Sequence, residues 1–101
     1  MKLLLITAVK EFEKDIKLIL KKAQVKSFSY KDVKGFKDNS EDVLEANWFA
    51  ANEQEMESIL FYAFVNEEKV DGLFDRVKEF NTDQVSKSNI HLAVLNIEKS
   101  N

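Results

Sequence analysis

No cysteine and no proline occur in this 101-residue chain, and there are only two glycines, Gly35 and Gly72. Without thiols there can be no disulfide and no thiolate metal site, a composition that fits the cytoplasm. Two isolated glycines cannot build the usual glycine-rich phosphate loops, neither GxGxxG nor GxxxxGK followed by Ser or Thr. No apolar run approaches the roughly 20 residues that a membrane-spanning helix needs. Positive charge is not in excess either. Lys and Arg number 15 against 18 Asp and Glu, a net charge of −3, so the electrostatic footprint of a nucleic-acid-binding protein is missing. Catalysis has little to draw on, with no cysteine nucleophile, no glycine elbow around a serine and one histidine, His91. The chain is therefore not expected to be an enzyme.

What is present describes a folded domain. Apolar residues make up 45% and charged residues 33%, ordinary values for one globular domain spanning 1–101 and unlike those of a disordered chain. The opening "MKLLLITAVKEFEKD" has the charge-then-apolar order of a short signal peptide. Its apolar part ends at Val9 with no small-residue cleavage pattern behind it, so Leu3–Val9 reads as a buried strand. In the stretch that follows, Phe12, Ile16, Ile19, Leu20 and Ala23 recur at helical spacing, opposite Lys14, Lys17, Lys21 and Lys22. This predicts an amphipathic helix over 11–24, with acids in its first turn and lysines in its last. "VKSFSYKDVKGF" alternates and predicts a half-exposed strand over 25–34.

Residues 59–65, "ILFYAFV", form a second fully apolar strand. Asn66 then reads as an N-cap, with Glu67 and Glu68 behind it. Val70, Leu73, Phe74, Val77 and Phe80 mark the buried face of a helix over 67–80. Gly72 sits on that helix, where a close packing contact would account for it. A polar connection, 81–89, leads to a last strand over 90–97. The order is strand, helix, strand, long insert, strand, helix, strand. Two helices on one face of a four-stranded antiparallel sheet make a ferredoxin-like βαββαβ α+β sandwich. Right-handed crossovers place the first and third strands side by side at its centre, and these are the two most uniformly apolar.

Helices can cover one face of such a sheet. Alternation splits one central strand into Ile59, Phe61, Ala63 and Val65 against Leu60, Tyr62 and Phe64, and the other into Leu3, Leu5, Thr7 and Val9 against Leu4, Ile6 and Ala8. Whichever sets face away from the helices would lie in water, and burying each large side chain is worth about 1.5–3 kcal/mol. Soluble monomers rarely display a patch of this kind, so sister copies are expected to cover it. Three families with this fold associate through the sheet: the dimeric α+β-barrel proteins, some of them small monooxygenases; the CutA divalent-cation-tolerance trimers; and the PII signalling trimers. The chain resembles the PII superfamily of nitrogen regulatory proteins over nearly its whole length. The likeness lies in the topology, in the long insert at 36–56, and in "ESILFYAFVNEEKVDGLFDRVKEF", which is similar to the strand and helix that follow a PII T-loop.

That resemblance implies a homotrimer, ligand sensing in the clefts between subunits, and an insert that contacts a partner. The partner it implies is a membrane transporter, heavy-metal efflux systems among them. The PII family holds ATP or ADP with a glycine- and basic-rich loop before the last strand. Here that place reads "NTDQVSKSNI", without glycine and with Lys87 as its one cation, and the insert lacks the tyrosine modified in PII proteins. Both departures argue against nucleotide binding in the usual PII manner. Lys34 and Lys87 are the cleft candidates. Asp42, Glu45, Trp48 and Phe49 are the candidates for the partner surface, Trp48 and Phe49 as aromatic anchors unless "ANWFAA" is a small extra strand. The insert holds six acids, Asp38, Glu41, Asp42, Glu45, Glu53 and Glu55. Oxygen ligands suit a hard cation, but the spacing matches no EF-hand and a solvated acidic loop is the simpler reading. His91 would supply one transition-metal ligand per subunit, three around a trimer axis, or else is structural. The runner-up readings are a dimeric-barrel enzyme, with Trp48 or His91 lining its pocket, and a CutA-like metal-tolerance trimer.

Overall fold

The computed structural model describes residues 1–38 and 53–101. The chain runs through β1 (Lys2–Val9), a 3-10 turn (Lys10–Phe12), α1 (Glu13–Lys22), β2 (Ser29–Asp38), β3 (Glu53–Val65), a second 3-10 turn (Glu67–Lys69), α2 (Val70–Asp83) and β4 (His91–Asn96). The strands form one antiparallel sheet in the order β2-β3-β1-β4. This is the ferredoxin-like α+β arrangement expected from the sequence, with β1 and β3 adjacent at the centre.

Register explains why the two central strands must be apolar throughout. Ile6 pairs with Phe61 on one side and Leu92 on the other, and Phe61 pairs in turn with Tyr30. One row of side chains therefore crosses all four strands on the helix-covered face. Leu4, Ile6, Ala8, Ile59, Phe61, Ala63, Val65 and Leu92 are buried there against Ile16, Ile19 and Leu20 of α1 and Leu73 and Val77 of α2. Phe12 and Phe80 meet edge to face at 5.0 Å and join the start of the first helical stretch to the second helix. At the sheet's rim, Lys17 lies 4.3 Å over the Tyr30 ring while donating to Glu13 at 2.8 Å and to the Tyr30 hydroxyl at 3.0 Å. The bonds to Glu13 and then to Tyr30 hold the Lys17 pKa above its ordinary value, as the bond to Asp32 does for Lys10. Raised lysine pKa values mean that these contributions are complete below the ordinary lysine range. They fade only as pH rises through the raised values.

Several boundaries differ from expectation. The second strand begins at Ser29, not at 25, because α1 ends in a Schellman motif. Gln24 takes a left-handed backbone (φ 63°), its N–H bonds the Lys21 carbonyl at 3.0 Å, and the Val25 N–H bonds the Leu20 carbonyl at 2.9 Å. Val25 is thereby folded into the core rather than onto the sheet. A left-handed Gln24 costs strain that glycine avoids. Gln24→Gly is expected to stabilise the fold by about 1 kcal/mol, read as a rise in the chemical-denaturation midpoint; a fall would contradict this account of the cap.

The third strand starts at Glu53 rather than 59, and the ends of the 36–56 insert belong to a β-ribbon whose register runs to Asp38↔Glu53. Asn66 makes no side-chain cap; its carbonyl instead accepts from Lys69 N–H in a 3-10 turn. The second helix extends to Asp83. Gly72 does not mark a close contact, since a Cβ there would meet nothing within 4 Å.

Candidate functional site

Alternation decides what the uncovered face displays. Across β1, Leu3 lies between Phe64 and Leu95, Leu5 between Tyr62 and Ala93, and Thr7 between Leu60 and His91. Tyr62 is 44% exposed, Phe64 58%, Leu95 43% and Met56 39%. These side chains form one apolar surface rather than scattered single residues. It becomes polar along the β2 edge, at Ser29 and Lys31, and at the end where the β2–β3 ribbon leaves the sheet, through Thr7, Ser58 and His91.

At that end lies a hollow of about 540 Å³. Its floor is Thr7 and Val9 of β1, Gly35 of β2 and Ser58 of β3; its wall is His91 of β4 with Lys87, Ser88 and Asn89 from the connection before it. Gly35 keeps the floor low, because a Cβ at that position would stand 2.8 Å from Ser58 Oγ. Among the described residues the lining contains no carboxylate. One ammonium, one imidazole and several hydroxyls face the space, a set that donates hydrogen bonds and suits an anionic or polar ligand. The lysine is exposed, so its attraction for an anion is of the screened, surface kind.

Two candidates from the sequence, Lys87 and His91, are thus brought to one place. Lys34 is not. Its neighbours Val33 and Gly35 line the hollow, whereas Lys34 pairs with Glu55 at 3.7 Å. Asp42, Glu45, Trp48 and Phe49, with the possible extra strand around them, lie outside the described residues. Among the described residues no group of three or more His, Cys, Asp or Glu could hold a metal, and His91 therefore belongs to no such group there. Sequence reasoning passed over Thr7, Ser58 and Gly35 as site residues. The available signal is a hydroxyl interrupting an apolar face, visible at Thr7 but hidden at Ser58, which falls just outside the fully apolar run 59–65.

The class that this geometry defines is a ferredoxin-like α+β domain with a long β2–β3 ribbon and a polar hollow at the ribbon's base. Among solved structures, it is similar to CPII, a nitrogen regulatory PII-like protein from Thiomonas intermedia K12 whose structure was solved bound to ADP, AMP and bicarbonate. The match has a TM-score of 0.63 at 16% sequence identity and covers 98% of this chain and 93% of that one. At this identity the likeness establishes a PII-like fold. No protein-family model and no curated protein matches the sequence. No helix among the described residues is long and apolar enough to cross a membrane.

Proposed function

We propose that this chain is a PII-like regulatory protein that acts by binding rather than catalysis. Its copies pack their open sheet faces together as a homotrimer, and a small anionic ligand occupies the hollow at the ribbon's base. The observation that carries the reading is the coincidence of that hollow, free of acids among its described lining, with the point where the ribbon leaves the sheet. A ligand there touches both β strands of the ribbon and the connection bearing Lys87, so its binding free energy is able to favour one arrangement of the 36–56 segment over others. The segment, with Asp42, Glu45, Trp48 and Phe49, then presents or withdraws a partner surface. A membrane transporter is the partner that the PII resemblance implies, and the six acids complement a basic surface on it.

The similarity to CPII supports testing ADP, AMP and bicarbonate first. Isothermal titration of the full chain is expected to show saturable binding of at least one of the three, weakened about tenfold, or ~1.4 kcal/mol, by Lys87→Ala. Absence of binding by all three at millimolar concentration, or a Lys87→Ala variant that binds as the parent does, would contradict the assignment of this hollow.

A further inference from the structure

The connection that supplies the wall of the hollow is held by side chains rather than by its own backbone. Asn81, in the last turns of α2, clasps Ile90: its Nδ2 donates to the Ile90 carbonyl at 2.9 Å, and Ile90 N–H donates to Asn81 Oδ1 at 2.8 Å. Within that clasp, one carboxamide organises the rest. Gln84 Oε1 accepts from Ser86 N–H at 2.8 Å and from Ser86 Oγ at 2.6 Å. Gln84 Nε2 donates to the Ser88 carbonyl and to Asn89 Oδ1. Ser88 N–H closes the inner turn on Ser86 Oγ at 3.2 Å. No backbone–backbone bond ties residues 85–89 together. Val85 is fully exposed on the outside of the turn and contributes no hold.

We infer that Gln84 is the positioning residue of the hollow, its carboxamide shaping the loop that delivers Lys87, Ser88 and Asn89 to a bound anion. The inference rests on the reading that the hollow binds such a ligand. A glycine-poor loop cannot wrap a ligand through unusual backbone angles, so a side chain that both donates and accepts supplies the turn instead. Preorganisation of this kind raises affinity because the ordering cost is met before the ligand arrives. Glutamate in the same place keeps the acceptor for Ser86, loses the donor to Ser88 and Asn89, and adds a negative charge beside the hollow.

The test compares the full-length parent, Gln84→Ala and Gln84→Glu by titration with AMP, ADP and bicarbonate. Native mass, melting temperature and amide exchange at Ser86 and Ser88 are followed alongside. Expected are unchanged mass and melting temperature in both variants, faster exchange at both serine amides in Gln84→Ala, and affinity lowered about tenfold or more, with Gln84→Glu the weaker binder. Variants that bind as the parent does would overturn the role of Gln84 while leaving the ligand reading intact. A parent that binds none of the three ligands would overturn both. Early melting or a changed mass in both variants would make Gln84 a structural residue and end the proposal.

Discussion

Truncating Phe61 to alanine is expected to destabilise the protein by about 3–5 kcal/mol, a large share of the 5–15 kcal/mol that typically holds a domain together. Phe61 is 1% exposed and sits in the row that crosses all four strands. Its ring lies 5.1 Å from that of Tyr30 and 5.6 Å from that of Phe28, so its removal empties the junction where β2 is fastened to the central strands. The neighbours cannot close the gap cheaply, because Ile6 and Ile59 are themselves fully packed. Denaturant titration reads the loss as a lower midpoint at unchanged slope. A cost below about 1 kcal/mol would mean that β2 is not anchored through this ring.

The second large effect lies on the opposite face. Tyr62→Glu leaves the single chain nearly as stable as before, since Tyr62 is 44% exposed there. In an assembly closed through the sheet, it places a carboxylate from every copy against Leu5, Leu60 and Phe64, with Lys31, the β2 partner of Leu60, as the cation on that face nearest to it. Desolvating the charge, even one that finds Lys31, is costly enough to split the contact rather than strain it. The expected result is a particle that falls from about 35 kDa, three chains of 11.7 kDa, to a single 11.7 kDa chain that still melts cooperatively. Retention of the parental mass would show that this face is not the contact.

Much of the fold is legible because its strongest signals are periodic. Leu3–Val9 and Ile59–Val65 are apolar on both faces, which only central strands require, and the structure sets them side by side, paired through Ile6↔Phe61. The first helix is legible from Ile16, Ile19 and Leu20, all buried. Errors concentrate where a three-dimensional event overrides a local pattern. "VKSFSY" alternates from Val25 onward, yet the left-handed Gln24 turns Val25 into the core and delays the strand to Ser29. Glu53 and Glu55 read as part of an acidic loop, although both stand in a regular ladder opposite β2. The hollow was half visible. Lys87 and His91 stand out in the sequence for separate reasons, one as a cleft cation and one as a metal ligand, but their meeting with Thr7, Gly35 and Ser58 depends on β1 ending and β4 beginning where the β2–β3 ribbon runs on past them. Gln84 carried no signal at all, since a glutamine in a polar stretch looks the same whether it organises a loop or faces solvent.

Sedimentation equilibrium of the unmodified protein at micromolar concentration tests most directly whether copies of this chain cover the apolar sheet face. Three 11.7 kDa chains predict a single species of about 35 kDa. A species of 11.7 kDa that persists as concentration rises would contradict the account, and one of about 23 kDa would replace the trimer with a face-to-face pair.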